Sequence, residues 1–182
     1  MLRLDQEDST AFSASENTAL FKAIEAEIAK KPSVVILSDY AKGLLSEKIC
    51  QQIIKCCKAQ KISVLVDPKG RDYAKYQGAT ALTPNKKETA EACGTSTQDA
   101  DLIKKASVLK TKLGLDFLAV TRGEEGICLI DDDKIKNRIH HLPATARQVF
   151  DVSGAGDTVI ATLAAGLMHD LSPLQSLELA NI

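Results

Sequence analysis

The chain has 182 residues, of which 45% are hydrophobic and 26% are charged, with 23 Lys and Arg residues against 24 Asp and Glu residues. This composition is typical of a globular domain and excludes a disordered or a collagen-like chain. The formal net charge of -1 provides no general attraction for nucleic acid or for an anionic membrane, so we expect small molecules as partners.

The cysteines and the hydrophobic pattern indicate a cytoplasmic protein. The five cysteines form no C-x-x-C pair, and their odd number leaves at least one outside any disulfide, which favours a reducing compartment. The chain has no run of about 18 apolar residues and no apolar leader segment at its start. We therefore expect no membrane-spanning segment.

The first two thirds of the chain alternate between helical and strand patterns. Residues 17–30 carry apolar side chains at helical spacing, and residues 34–37 form an apolar run that predicts a buried strand. The alternation continues with a helix over 46–60, strands over 62–66 and 79–83, a helix over 99–112 and a strand over 117–121. Continuous Val, Ile and Leu runs are typical of parallel strands that helices cover on both sides. The pattern therefore predicts an α/β fold, with an open, mainly parallel sheet and helices on both faces.

The pattern changes after residue 121. An apolar run over 127–130 predicts a strand, and the acidic residues 131–133 are expected to form a solvated turn within a hairpin, because they lack the spacing of a calcium loop. Consecutive histidines on a strand face opposite sides, so we assign no metal ligand to His140 or His141. Residues 174–182 have an amphipathic helical pattern without a terminating glycine or proline.

The segment with the clearest chemistry is D-V-S-G-A-G-D, residues 151–157, which opens a helix of small residues. Unpaired backbone N–H groups and the positive end of the helix dipole make such a helix start a site for an anion. The small side chains of Gly154, Ala155 and Gly156 would let a phosphoryl group approach the backbone. Asp157 follows directly, and a carboxylate beside an anion site suits proton acceptance from an attacking hydroxyl.

A plainer interpretation of the same segment stays open. Ser153 or Asp151 could simply cap the helix, with Asp157 as an exposed acid in its first turn. The segment is not a Walker A loop, since no Gly-Lys-Ser/Thr follows, and it is not a dinucleotide fingerprint, since residue 159 is Val.

Segment 151–157 resembles the C-terminal signature of the ribokinase-like (PfkB) sugar kinases, which phosphorylate sugar hydroxyls with ATP. Further stretches resemble, in the expected order, the kinase module of bacterial D-glycero-beta-D-manno-heptose-7-phosphate kinases: L-S-D-Y-A-K-G at 37–43, V-D-P-K-G at 66–70, G-A-T-A-L-T-P-N-K-K-E at 78–88 and A-V-T-R-G-E-E-G at 119–126. The resemblance covers nearly the whole chain. It implies transfer of phosphate from ATP to O-1 of heptose 7-phosphate, for the inner core of lipopolysaccharide.

The resemblance also implies roles for individual residues. Asp157 matches the catalytic base, and Gly154, Ala155 and Gly156 match the anion hole. The motif N-x-x-E, which holds magnesium-bound phosphate through water without direct metal ligation, corresponds to Asn85, Lys86, Lys87 and Glu88. Other nucleotide contacts are expected from Lys69 and from the turn T-x-G-x-x-G, represented by Thr121, Gly123 and Gly126. Weaker candidates for the acceptor sugar or a cation are Asp39, Lys42 and Asp151.

Some of these motifs have a common structural explanation, which we keep open. Asn85 followed by Glu88 is also the spacing of a capping box at a helix start, and each loop lysine could be solvated. Four of the matched stretches nevertheless begin near the ends of predicted strands, at Ser38, Asp67, Pro84 and Thr121. In open α/β sheets, ligands bind beyond the carboxyl ends of the strands.

Residues 1–182 resemble the C-terminal part of a kinase domain that is incomplete at both ends. We find no match to the opening strand and the small β lid that the family carries before this part, and residues 1–5 resemble the strand that returns from the lid. A homodimer or a separately encoded N-terminal piece is therefore a possible partner. The alternatives are a kinase for another sugar or sugar phosphate, and a catalytically silent protein that binds nucleotide.

Overall fold

The structure is a computed structural model that describes residues 12–133, 136–144 and 154–181. Within these residues a single sheet has the strand order β1-β2-β3-β4-β5-β6. Its strands are β1 (Val34–Ser38), β2 (Ser63–Asp67), β3 (Ala81–Leu82), β4 (Phe117–Thr121), β5 (Ile127–Asp133) and β6 (Lys136–Leu142). Strands β1 to β4 pair in parallel, and β5 and β6 add to the sheet antiparallel.

Helices cover both faces of this sheet. They are α1 (Ala14–Ile28), α2 (Glu47–Ala59), α3 (Lys86–Ala92), α4 (Leu102–Leu113), α5 (Ala155–Met168) and α6 (Pro173–Ala180). One buried apolar cluster joins the sheet to α1, α2 and α4, and the other cluster found among the described residues joins it to α5 and α6. The prediction of an open, mainly parallel sheet with helices on both faces is confirmed.

Alternation along β2 decides which face each of its side chains joins. Val64 and Val66 belong to the cluster under α2, whereas Leu65 packs in the cluster with α5. Because successive strand residues point to opposite faces, Asp67 lies on the face of Leu65. The last residue of β2 is therefore directed toward the α5 layer.

Several element boundaries differ from the sequence-based predictions for local reasons. Helix α1 begins three residues early because Ser13 forms a capping box with Glu16. The predicted strand over 79–83 is reduced to two paired residues. Helix α3 was not among the predicted elements, although its capping residues were considered as a helix start.

The predicted turn at residues 131–133 is wrong, because β5 continues through these residues. Asp131 pairs with Arg138 across the hairpin, and its carboxylate lies 3.2 Å from Arg138 Nε and 3.2 Å from His140 Nε2. The Arg138 guanidinium on β6 thus offsets the charge that favoured a solvated turn, and the His140 ring lies within hydrogen-bond distance of the same carboxylate. His140 is half-buried and His141 is exposed. In the part of the chain that the structure describes, no three His, Cys, Asp or Glu side chains are grouped to hold a metal ion.

All five cysteines are free thiols, and three of them, Cys50, Cys57 and Cys128, are buried. Burial raises the pKa of the Cys50 and Cys57 thiols to about 11, so both behave as small apolar core residues. Every helix within the described residues is too short or too polar to cross a lipid bilayer.

Candidate active site

The carboxyl ends of the four parallel strands meet at one edge of the sheet. Ser38 at the end of β1 is the register partner of Asp67 at the end of β2. The Thr121 backbone N–H donates to the Pro84 carbonyl at 3.0 Å, and Asn85 forms a parallel bridge with Thr121. The stretches that were matched at strand ends therefore lie side by side.

Asn85 and Glu88 form the capping box of α3. Asn85 Oδ1 accepts the Glu88 N–H at 2.9 Å, and Glu88 Oε2 accepts the Asn85 N–H at 2.9 Å. The other carboxylate oxygen of Glu88 accepts from Lys69 Nζ at 2.7 Å, and this hydrogen bond raises the pKa of Lys69. The capping box alone thus accounts for the spacing of Asn85 and Glu88. A role for these residues in phosphate binding stays a prediction.

Lys86 and Lys87 differ in their surroundings. Lys86 forms an ion pair with Glu125, which lies in the single-turn 3-10 helix Gly123–Glu125 after β4, and this hydrogen bond lowers the pKa of Glu125. Lys87 is exposed. The Lys86 ion pair joins the start of α3 to the T-x-G-x-x-G turn.

The two glycines of this turn are required for different reasons. Gly126 has φ +80°, and a Cβ there would lie 2.0 Å from the Leu142 carbonyl oxygen. Gly123 has φ +60° but faces open space. Gly126 therefore lets the turn approach the backbone after β6, whereas Gly123 provides only the backbone conformation. Thr121 is half-buried at the end of β4, on the edge where a nucleotide is expected.

The start of α5 is open to solvent. Gly154 is its N-cap with φ +80°, and none of the described side chains caps the helix. The Thr158 N–H donates to the Gly154 carbonyl at 2.9 Å, so the N–H groups of the three residues before Thr158 have no partner within the helix. Those three residues, Ala155, Gly156 and Asp157, are all exposed. Asp151 and Ser153 lie outside the described residues.

Asp67 is a site residue that the sequence analysis did not select. Burial raises its pKa, and the carboxylates of Glu88 and Asp157 raise it further, to about 6. The end of β2 and the starts of α3 and α5 therefore share one electrostatic environment. The sequence does hold a signal for Asp67, because this charged residue directly follows the apolar run of β2.

Asp39 lies just after β1 and is 5% exposed. Its Oδ2 accepts from Lys75 Nζ at 2.5 Å and from the Tyr76 hydroxyl at 2.6 Å, and its Oδ1 accepts from the Ala41 N–H at 2.7 Å. Burial alone would raise the pKa of Asp39, but the hydrogen bonds, led by that from Lys75, hold it below its ordinary value. Lys42 is exposed in the following loop. Acceptor binding by Asp39 and Lys42 stays a prediction.

The family assignment is decided by the extent of the sequence match. The chain matches the model of the pfkB family carbohydrate kinases over residues 3–182. It belongs to this family. The resemblance that the five motifs indicated is thereby confirmed, and the chain is placed among the sugar kinases.

Relatives within the pfkB family extend well beyond this chain. The chain is 60% identical over 183 residues to the bifunctional protein HldE of Methylobacillus flagellatus, with 100% of this chain and 37% of that protein covered. It is 46% identical over 185 residues to the protein of the same name from Magnetococcus marinus, with the same shares covered. The chain thus spans 37% of the length of these curated relatives.

Solved structures confirm the fold of this pfkB chain. Phosphofructokinase-2 from Escherichia coli in complex with potassium superposes with a TM-score of 0.77 at 17% identity, over 93% of this chain and 54% of that one. Arabidopsis thaliana ribokinase complexed with ribose and ATP superposes with a TM-score of 0.71 at 24% identity, over 94% and 51%. At these identities the likeness establishes the architecture alone.

Proposed function

We propose that this chain forms the nucleotide-binding and catalytic part of an ATP-dependent sugar kinase that phosphorylates O-1 of heptose 7-phosphate. The observation that carries this proposal is the exposed start of α5, where the N–H groups of Ala155, Gly156 and Asp157 have no partner within the helix and the Asp157 carboxylate lies in the same turn. A site with unpaired backbone N–H groups and a nearby carboxylate provides both an anion hole and a base.

Asp157 is the base in this proposal. It is exposed in the first turn of α5, where a sugar hydroxyl can reach it. The hydroxyl oxygen attacks the γ-phosphorus of ATP, its proton passes to the Asp157 carboxylate, and the bond from phosphorus to the β-γ bridging oxygen breaks to release ADP. The N–H groups of Ala155 and Gly156 hold the phosphoryl oxygens while charge develops on them.

ATP and Mg²⁺ fit the charges at this edge of the sheet. Magnesium ions keep several waters and need only one or two carboxylates nearby, and the charges of Glu88 and Asp157 are near enough to Asp67 to raise its pKa after burial has done so. Mg²⁺ would neutralise the phosphate oxygens. Glu88 would hold its waters, and Lys69, whose side chain is 52% exposed, would contact phosphate.

The choice of heptose 7-phosphate rests on resemblance rather than on acceptor contacts. The stretches at 37–43, 66–70, 78–88 and 119–126 support it. The whole-chain identity of 60% to a bifunctional protein HldE agrees with a member of that subgroup. Since the chain spans 37% of that relative, residues outside this chain are expected to complete the acceptor site.

Calorimetric titration with Mg·ATP, followed by an assay of ADP release, tests the proposal. We expect Mg·ATP binding by this chain. When the residues that complete the acceptor site are also present, we expect ADP release that depends on heptose 7-phosphate and not on heptose or fructose 6-phosphate. Release with another sugar would replace the acceptor. Binding without release would identify a nucleotide-binding protein that lacks this activity, and absence of binding would refute the proposal.

The base assignment has a matched pair of variants at the two ends of α5. In the enzyme with a completed acceptor site, Asp157→Asn should leave Mg·ATP affinity unchanged. It should lower ADP release with heptose 7-phosphate by about 100-fold or more, because the attacking hydroxyl loses its proton acceptor. Asp170→Asn is the control: Asp170 is exposed beyond the other end of α5 at φ +60°, which Asn tolerates. Equal turnover in both variants would refute the assignment.

We further propose that the protein acts in the cytoplasm, where ATP is available as the phosphate donor and a reducing environment keeps its cysteines as free thiols. A homodimer or a separate N-terminal piece is the proposed partner, because β1 pairs only with β2 among the described strands. Sedimentation velocity tests self-association. A monomer at every concentration would exclude the homodimer.

A further inference from the structure

Tyr76 occupies a central position beneath the candidate site. It ends the single-turn 3-10 helix Ala74–Tyr76, between β2 and β3, and its side chain is fully buried. Its hydroxyl donates to Asp39 Oδ2 at 2.6 Å and accepts the Lys69 N–H at 3.4 Å. One buried oxygen thus joins two loops that follow different strands.

The first of these loops is fixed by Asp39. Its carboxylate accepts from Tyr76, from Lys75 and from the Ala41 N–H, and Ala41 has φ +55°, an uncommon conformation for alanine. The Lys75 ammonium also lies 5.0 Å from the centre of the Tyr76 ring. Since each oxygen of Asp39 has partners inside the protein, this carboxylate is placed to order the loop that contains Lys42.

The second loop connects Tyr76 to the proposed nucleotide site. Lys69, whose N–H bonds to the Tyr76 hydroxyl, donates through its Nζ to Glu88 Oε1 at 2.7 Å. Glu88 in turn caps α3. Three hydrogen bonds therefore connect Asp39 to Tyr76, Tyr76 to the Lys69 backbone, and the Lys69 side chain to Glu88.

The geometry points to Tyr76 as a positioning residue that couples the loop after β1, on the proposed acceptor side, to the Lys69–Glu88 pair on the nucleotide side. This inference rests on the proposed function of that pair. Tyr76 touches neither substrate in this arrangement. It acts by fixing the backbone at Lys69 and the carboxylate of Asp39, so that both loops are ordered together.

A matched pair of tyrosine variants tests this role. Tyr76→Phe removes only the bridging oxygen. Tyr73→Phe makes the same change in the adjacent ring, 5.8 Å away, whose buried hydroxyl has no hydrogen-bond partner within the described part of the chain. Both variants are studied under conditions in which urea titration shows them to be fully folded, so that loss of stability is separated from loss of positioning.

Amide hydrogen exchange measures the coupling without nucleotide. In Tyr76→Phe we expect exchange at residues 39–45 and 69–72 to become about three- to tenfold faster, the range that corresponds to one net hydrogen bond. The Kd for Mg·ATP should rise by a similar factor. Tyr73→Phe should leave both quantities within about twofold of wild type.

Each result decides the inference. Unchanged exchange in Tyr76→Phe would refute the coupling. Faster exchange with an unchanged Kd for Mg·ATP would show that Tyr76 stabilises the loops without positioning the nucleotide site. If the wild-type chain binds no Mg·ATP, the proposed function fails and the positioning role fails with it, whereas the exchange comparison separately shows whether the two loops are coupled.

Discussion

Replacing Asp67 with Asn should stabilise the protein in the absence of nucleotide at neutral and alkaline pH. The wild-type carboxylate is partly buried and faces the charges of Glu88 and Asp157, which together raise its pKa from 3.8 to about 6. Asparagine has nearly the same shape and no charge. The substitution therefore removes an unfavourable interaction without opening a cavity.

The magnitude and the sign follow from this pKa. It lies about two pH units above its ordinary value, and at about 1.36 kcal/mol per unit this corresponds to about 3 kcal/mol. Because Asp67 is partly exposed, screening by solvent reduces the expected gain to about 1–2 kcal/mol. Between pH 3.8 and about 6, Asp67 is protonated in the folded protein and ionised in the unfolded chain. The contribution of Asp67 to the free energy of unfolding is therefore fully present below pH 3.8. It is lost as the pH rises to about 6.

Urea unfolding of wild type and Asp67→Asn at pH 4 and pH 8 measures this effect. The variant should have nearly the wild-type free energy of unfolding at pH 4 and a larger one at pH 8. Asp116→Asn, at an exposed aspartate before β4, is the control for removal of a carboxylate elsewhere. The reasoning is refuted if Asp67→Asn is no more stable than wild type at pH 8. Mg·ATP should stabilise the same variant less than it stabilises wild type, because the variant lacks the carboxylate that would offset the charge of the cation.

Four substitutions test the packing and the buried network. Gly126→Ala should lower the free energy of unfolding by about 3 kcal/mol or more, because the added Cβ would overlap backbone atoms. Gly123→Ala should lower it by about 1 kcal/mol, since only its positive φ opposes a side chain. Similar urea midpoints for the two variants would contradict this packing explanation. Tyr73→Phe should leave the melting temperature unchanged or raise it, since it removes a buried hydroxyl without a partner among the described residues; a marked decrease would show that the hydroxyl is satisfied. Asp39→Asn should cost about 2 kcal/mol at pH 7. The cost should decrease as the pH falls below 3.8, where the unfolded chain takes up a proton, and should be smallest below the lowered pKa of Asp39 in the folded protein. An equal loss at pH 7 and pH 3 would exclude the ionic contribution.

The sheet and the outline of the site could be predicted because their signals are local. The apolar runs of β2 and β4 reflect burial on both faces, and the parallel pairing places their carboxyl ends along one edge. The buried strand predicted at 34–37 is wrong in part, because β1 pairs only with β2 among the described strands and its Ile36 is 40% exposed. The glycine-rich start of α5 is equally local, since the unpaired N–H groups follow from the helix start itself. These features follow from residues within a few positions of one another.

The remaining features depend on contacts between distant residues. The hydrogen bond of Tyr76 to Asp39 joins residues 37 positions apart, and no pattern around either residue indicates it. The extension of β5 through three consecutive aspartates depends on Arg138 and His140 across the hairpin. The pKa of Asp67 is raised first by burial and then by the charges of Glu88 and Asp157, and these causes depend on residues distant in the sequence.

The alternation of faces along β2 also limits how this edge of the sheet can change in evolution or by design. Leu65 packs against α5, and Asp67 shares its face. Inserting one residue between them would turn Asp67 toward α2 and away from Asp157, even if every strand remained paired. Insertions in the loops beyond the strands carry no such penalty, because they leave this parity intact. Variation in substrate choice is therefore expected to arise from loop length, while the spacing within β2 stays constant.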